Sequence, residues 1–99
     1  MEITKPAMAG TLESSDCMVT LEPHEGGIEL SLESAVIHQF GNQIRRVVLD
    51  TLSRLDVKNA NVSVVDKGAL DCTIKARVEA AVYRSAEQTG DLPWGGAIR

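Results

Sequence analysis

The sequence predicts a small α+β domain, and three observations lead to that fold class. The chain has 99 residues, the usual size of one domain with one hydrophobic core. Hydrophobic residues make up 43% of the chain but include only one Phe, one Tyr and one Trp, so the predicted core is aliphatic. Apolar positions alternate with polar ones in some segments and recur at helical spacing in others. Strands and helices are therefore both expected, in a single domain spanning residues 1–99.

The first third of the chain predicts an irregular arm followed by a β-hairpin. Residues 1–16 show no periodicity, and Pro6, Gly10 and the sequence ESSD at 13–16 are typical of loops. Residues 17–21 alternate weakly, and residues 28–34 alternate clearly between apolar and polar positions, as a half-buried strand does. The sequence EPHEGG between them supplies Pro and Gly for a turn, so the two strands are expected to pair as a hairpin.

A long helix and a third strand are predicted next. From residue 35 to residue 55 the apolar residues recur every three or four positions, and Ser34 can cap the helix. Gly41 weakens the start of this helix, because glycine costs up to about 1 kcal/mol relative to alanine. The predicted stripe consists of Ile37, Phe40, Ile44, Val48, Leu52 and Leu55. The valine-rich sequence ANVSVVD at 60–66 predicts the third strand.

The C-terminal third is harder to assign. Leu70, Cys72 and Ile74 alternate as in a strand, but the apolar spacing through Val82 and the many Ala, Arg and Glu residues favour a helix. A C-terminal helix from about 69 to 86 is therefore predicted. The tail at 87–99 is expected to be extended or mobile, with Trp94 either closing over the core edge or anchoring a partner.

Charge and motif content exclude several classes of function. The net charge of −4 disfavours nucleic-acid binding, and no apolar stretch approaches the roughly 20 residues that span a bilayer, so a cytoplasmic protein without membrane contact is expected. Cys17 and Cys72 belong to no metal-binding spacing and are expected to be reduced thiols. His24 and His38 have no second ligand at metal spacing. No metal site is predicted.

The remaining chemical candidate is a pair of serines, Ser14 and Ser15, between Glu13 and Asp16. Ser14 lacks the GxSxG context of a serine hydrolase, and no sequence pattern places a base beside it, so independent catalysis is not expected. From the residues alone, the pair fits a polar loop or a cap before a strand.

Several ordered motifs together resemble one family. They are AGTLESSD at 9–16, QFG with a following IR within 39–45, DKGALDC at 66–72, ARVEAA at 76–81 and LPW at 92–94. Spread over nearly the whole chain, they are similar to the acyl carrier protein of citrate lyase, its small gamma subunit. By this resemblance the chain is a non-catalytic carrier subunit.

The resemblance implies a cofactor and partners. Ser14, the serine of the GTLES motif, would carry 2'-(5''-phosphoribosyl)-3'-dephospho-coenzyme A through a phosphodiester bond. The implied partners are the citrate lyase alpha and beta subunits, which exchange acetyl for citrate and cleave the citryl thioester, together with a prosthetic-group transferase and an acetylating ligase. Glu13 and Asp16 are expected to repel nearby phosphates and keep the attached arm free.

Three alternatives accompany this interpretation. Ser15 offers the same chemistry as Ser14 one position along. A malonate decarboxylase-like complex uses a related carrier with a similar prosthetic group. An assembly adaptor that carries nothing is a further class, and an unmodified mass in the native host would favour it.

Overall fold

The computed structural model describes residues 2–34 and 37–86, which form a four-stranded β-sheet and two helices. The elements are β1 (Ala7–Gly10), β2 (Cys17–Glu22), β3 (Ile28–Ser34), α1 (Ile37–Arg54), β4 (Ala60–Asp66) and α2 (Asp71–Ser85). The predicted α+β class is confirmed. The predictions for the tail at 87–99, for Trp94 and for the helix start at 35–36 concern residues outside the described part. Neither described helix is long and apolar enough to cross a membrane.

The strand order is β1-β2-β4-β3, with β4 antiparallel to β2 and parallel to β3. The predicted hairpin between β2 and β3 is therefore wrong, although both strands exist, because β4 lies between them. Alternation shows which face a strand buries, but it does not identify the strand's partner. Val62 and Val64 of β4 are almost completely buried, as suits a strand with a neighbour on each side.

The strand β1 is not predicted by the sequence. It pairs antiparallel with β2, so that Ala7 lies opposite Leu21 and Gly10 opposite Met18. The segment was expected to belong to an irregular arm, because alanine and glycine are rare in strands and the run is only 4 residues long. Pairing with β2 makes it part of the sheet. The hairpin that the sheet contains is thus β1–β2, and residues 11–16 connect its strands.

The helix α1 confirms the predicted long helix and most of its apolar stripe. Ile44, Val48 and Leu52 are buried, and the helix continues through Gly41. Phe40 departs from the prediction, since 47% of its surface is exposed. The prediction for the side chain of Ile37 lies outside the described residues.

The helix α2 confirms the choice of helix for the ambiguous C-terminal segment. Ile74, Val78 and Val82 are fully buried, as the helical spacing predicted. Leu70 is the exception, because it precedes the first turn and is 70% exposed.

One face of the sheet carries the core. The inward residues of β2 and β4 lie opposite each other, for example Val19 with Val64 and Leu21 with Val62. The helix α2 packs on β1 and β2, α1 contacts β3, and the two helices contact each other. Since Cys17 and Ser34 both lie opposite Asp66 in the register, the start of β2 and the ends of β3 and β4 meet at one pole of the domain.

Candidate functional site: the serine loop

The residues Thr11–Asp16, here called the serine loop, connect β1 to β2 at that pole. The hairpin closes on a backbone bond in which the Thr11 amide donates to the Cys17 carbonyl oxygen at 3.2 Å. Gly10 just before the loop has φ +103°, and a Cβ there would overlap the Cys17 carbonyl oxygen. Glycine is therefore required for β1 to approach β2 this closely.

The serine pair occupies the centre of a tight turn. The Asp16 amide donates to the Glu13 carbonyl at 3.2 Å, which leaves Ser14 and Ser15 as the two central residues, both exposed. Ser15 has φ +64°, and a positive φ at the third position is the feature of type II turns. The backbone at the serine pair is therefore a turn and not an extended segment. The turn presents both hydroxyls to solvent.

Backbone bonds fix the turn to the end of β4. The Ser15 amide donates to the Lys67 carbonyl at 2.9 Å, and the Lys67 amide donates to the Asp16 carbonyl at 2.8 Å. These bonds extend the β2–β4 ladder beyond its last pair, Cys17 with Asp66. The serine loop is therefore exposed at its tip and anchored at its base.

The Asp16 side chain links the serine loop to α2. Its carboxylate accepts two bonds from the Arg77 guanidinium, each 3.0 Å long, in a bidentate pair. It also accepts from the Thr11 hydroxyl at 2.6 Å and from the Cys17 amide at 2.7 Å. Arg77, helped by Thr11, lowers the pKa of the Asp16 carboxyl from 3.8 to about 2.

This pairing changes the electrostatics expected from the sequence. Glu13 and Asp16 were expected to surround the serines with negative charge, but the Asp16 carboxylate points to Arg77 and is neutralised by it. Glu13 is exposed at the turn. The repulsion of phosphates at the serines is thus weaker than the sequence alone indicates.

A second carboxylate organises the adjacent connection between β4 and α2. Asp66 is buried and accepts bonds from the Ser34 hydroxyl at 2.8 Å and from the amides of Gly68 and Ala69 at 3.2 and 2.9 Å. Lys67, which anchors the serine loop, lies between Asp66 and Gly68. Asp66 therefore holds the backbone to which the serine loop is attached.

An apolar groove of about 410 Å³ lies beside this connection, between the starts of α1 and α2. Phe40 and Leu70, both unusually exposed for their size, form part of its wall. A larger open depression of about 920 Å³, lined by residues such as His24 and Asp56, lies around the β2–β3 and α1–β4 connections. Neither serine lines either cavity, but the groove includes Asp66 and Gly68 of the connection to which the serine loop is attached.

The thiols of the two cysteines take no part in this site. Cys17 is fully buried, and burial, together with the nearby carboxylates of Asp16 and Asp66, raises the pKa of its thiol to about 11. Cys72 is exposed at the start of α2, and both thiols are free. Within residues 2–34 and 37–86, no three His, Cys, Asp or Glu side chains are grouped so that they could hold a metal ion.

The arrangement leaves the side chains of Ser14 and Ser15 exposed, where a second molecule can reach them. The charged side chains held at the base of the loop, Asp16 and Arg77, bind each other and are not placed as a free base. The sequence did not indicate the role of Arg77, because it lies far along the chain from Asp16 and on a helix whose periodicity explains it as a surface residue. Only information on which residues contact each other in the folded chain could have identified Arg77 as the partner of Asp16.

Comparison with known proteins identifies the family. Residues 4–85 match the family model of the malonate decarboxylase delta subunit (MdcD). The citrate lyase acyl carrier protein of Escherichia fergusonii is 58% identical over 96 residues, which cover 96% of this chain and 98% of that protein. The chain belongs to the family of citrate lyase acyl carrier proteins. The predicted resemblance is confirmed.

Other members support the same assignment. The citrate lyase acyl carrier protein of Vibrio cholerae is 58% identical over 88 residues, covering 88% of this chain and 90% of that protein. A chain in the crystal structure of a Pseudomonas malonate decarboxylase hetero-tetramer in complex with malonate has the same fold, with a TM-score of 0.69 and 18% identity. The superposition covers 85% of this chain and 91% of that one. The curated relatives are thus named as acyl carrier proteins, and the malonate decarboxylase chain shows that the fold described above also occurs in that assembly.

Proposed function

We propose that this chain is the acyl carrier subunit of citrate lyase and that Ser14 carries phosphoribosyl dephospho-coenzyme A. The observation that supports this proposal is an exposed serine pair at the tip of a turn whose base is fixed by Lys67 and Arg77. A modifying enzyme needs an accessible hydroxyl. A turn whose anchoring bonds lie at its base leaves the hydroxyls at its tip exposed. Membership in the family of citrate lyase acyl carrier proteins is the reason for proposing this prosthetic group on the hydroxyl.

Attachment would form one bond at the Ser14 oxygen. The oxygen attacks the phosphorus of an activated phosphoribosyl donor, the donor's leaving group departs with its bonding electrons, and the hydroxyl proton passes to a base of the transferase. The product is a phosphodiester. The chain itself places Asp16 in a pair with Arg77, so the base is assigned to the transferase and not to the carrier.

Carriage then depends on tethering. The terminal thiol of the arm would hold an acetyl thioester after the acetylating ligase has acted, and the alpha and beta subunits would exchange acetyl for citrate and cleave the citryl thioester. A tethered thioester reaches each active site as an intramolecular substrate at high effective concentration. We therefore propose that the chain carries the thioester and presents it to the active sites within a cytoplasmic multi-subunit complex. It contributes no catalytic group of its own.

The experiment is co-expression with the citrate lyase prosthetic-group transferase, followed by intact mass spectrometry. The expected result is one added phosphoribosyl dephospho-coenzyme A on the wild-type chain and none on the double variant S14A/S15A. An unshifted wild-type mass, with a known carrier modified in parallel, would falsify the carrier assignment and favour an assembly adaptor.

A second candidate is a carrier for malonate decarboxylase, and the match of residues 4–85 to that family model is the observation in its favour. The two functions separate in a complementation assay. The modified chain should restore citrate cleavage to a citrate lyase complex that lacks its carrier. Restoration of malonate decarboxylation in place of citrate cleavage would select the second candidate.

A further inference from the structure

Arg77 has a structural relationship to the serine loop that the proposed function does not use. Its side chain is 38% exposed, while the Asp16 side chain that it binds is only 14% exposed. The two bonds between them join the middle of α2 to the end of the serine loop. An ordinary surface ion pair contributes little to stability. Any importance of the Arg77–Asp16 pair must therefore have another cause.

The bonds of Asp16 supply that explanation. The carboxylate that Arg77 orients also accepts from Thr11 at the first residue of the loop and from the Cys17 amide just after its last residue. One side chain thus holds both ends of the loop, and Arg77 fixes that side chain against α2. Without Arg77 the carboxylate keeps Thr11 and the Cys17 amide as partners but loses its link to α2, so that only the backbone bonds to Lys67 still join the loop to a neighbouring element.

We propose that Arg77 is a positioning residue for the modification of the carrier, and that its pair with Asp16 selects Ser14 over Ser15. This inference rests on the proposed function. The two hydroxyls are chemically identical and adjacent, so a transferase can distinguish them only by where the turn places them. A displacement of about 1 Å at a reacting atom can cost about 100-fold in rate, which makes the loop conformation decisive.

The test compares five variants as substrates of the purified transferase, one of which, R77K, keeps a positive charge but replaces the guanidinium by an ammonium group. R77M removes the guanidinium, D16N keeps an acceptor for the Cys17 amide but loses the charge, and R77M/D16N removes both partners. R84M is the matched control, because Arg84 is also an arginine of α2 and its NH1 donates to the Met8 carbonyl, away from the loop. Each variant is measured for kcat and KM, for the modified serine by peptide mapping, and for thermal unfolding.

R77M and D16N should each lower kcat/KM by about tenfold or more and should place part of the prosthetic group on Ser15. The double variant should be no worse than the poorer single variant, because both substitutions break the same pair. R77K should restore part of the selectivity through a single bond. R84M should behave as the wild type. A purely stabilising role for Arg77 would change the unfolding temperature without moving the group to Ser15.

Two further results would overturn the inference while leaving the proposed function intact. In the first, R77M is modified at the wild-type rate and only on Ser14. In the second, R77M is impaired but D16N is normal, which would make Arg77 a direct contact of the transferase. If R77M does not fold, D16N and R77K carry the comparison. An unmodified wild-type chain would instead remove the proposed function itself.

Discussion

Ser34 at the end of β3 donates its hydroxyl hydrogen bond, 2.8 Å long, to the buried carboxylate of Asp66 at the end of β4. The two residues lie directly opposite each other in the parallel register. The same carboxylate accepts from the amides of Gly68 and Ala69, which lead into α2. A single buried side chain therefore joins the last pair of the β3–β4 ladder to the connection that supports the serine loop.

Replacing Asp66 by Ala should destabilise the domain by about 2–4 kcal/mol, because it leaves the two amides and the Ser34 hydroxyl without this acceptor. Urea unfolding followed by circular dichroism measures the change. Asp71→Ala is the matched control: Asp71 is exposed and accepts one bond, from the Gln43 side chain. It should change stability by no more than about 0.5 kcal/mol. Equal effects of the two substitutions would contradict the role given to Asp66.

The acid stability of the domain should depend on Asp16. Its pKa is about 2 in the folded chain against an ordinary 3.8, so the folded state favours the charged carboxylate. The stabilisation is complete above about pH 5 and is lost as the pH falls towards 2, because the unfolded chain binds the proton first. With screening at the partly exposed Arg77, we expect about 1–2 kcal/mol.

The free energy of unfolding of the wild type and of D16N, measured between pH 7 and pH 2, checks this. The difference between the two proteins should be constant near neutral pH and should shrink below pH 4. D50N removes the exposed ion pair of Asp50 with Arg54 and should differ from the wild type by no more than about 0.5 kcal/mol at neutral pH. A gap between wild type and D16N that stays the same down to pH 2 would refute the linkage.

Gly10→Ala should be among the most damaging single substitutions in the loop region. The new Cβ overlaps the Cys17 carbonyl oxygen, and the φ of +103° is itself unfavourable for alanine. We expect a loss of about 2–4 kcal/mol. Gly26→Ala has a similar φ, +97°, but no neighbouring atom within 4 Å of its Cβ, and should cost about 1–2 kcal/mol. Thermal or urea unfolding distinguishes the two, and similar losses would show that the overlap is relieved by a small shift.

The two thiols should react very differently with alkylating reagents. Cys72 is exposed and should be labelled by iodoacetamide in the native protein, whereas Cys17 is buried with a pKa raised to about 11 and should react only after unfolding. Mass spectrometry at pH 8, with and without urea, counts the labels. The variant C72S should take up none in the absence of urea. Rapid labelling of both cysteines in the folded wild type would show that β2 opens readily.

Single substitutions should show which of the two serines, Ser14 or Ser15, is modified. Ser14→Ala should abolish modification and citrate cleavage while changing stability by no more than about 0.5 kcal/mol, since the side chain is exposed. Ser15→Ala should retain modification. Ser15→Gly should retain it too and should raise stability by up to about 1 kcal/mol, because φ +64° suits glycine. Peptide mapping reads the outcome, and a group found on Ser15 would reverse the assignment while sparing the carrier function.

Much of the fold could be predicted because periodicity reports burial. The inward residues of β2 and β4, such as Val19 and Val64, and the buried side of α1 follow from spacing alone. Pairing could not be predicted in the same way, since β2 and β3 have the same period whether they pair with each other or with β4. The strand β1 was missed because its stability comes from pairing with β2 and not from its own sequence.

The candidate site likewise has features that could be predicted from the sequence and features that could not. The exposure of the serine pair could be predicted from the local sequence ESSD, which is typical of a loop. The anchors of that loop could not, because Asp16 meets Arg77 and Ser15 meets Lys67 only after the chain has folded. From the sequence alone Asp16 is interpreted as an unpaired charge, whereas in the folded chain it binds Arg77.

The place of β4 in the sheet has a consequence for biosynthesis. It lies between β2 and β3 but is made after both, so the sheet cannot be completed until residues 60–66 have left the ribosome. Arg77 emerges later still, and only then can it bind Asp16. A transferase that needs the anchored loop would therefore pass over nascent or truncated chains and modify finished ones. Modification of a serine near the beginning of the chain would in this way indicate that its later part has been made and folded.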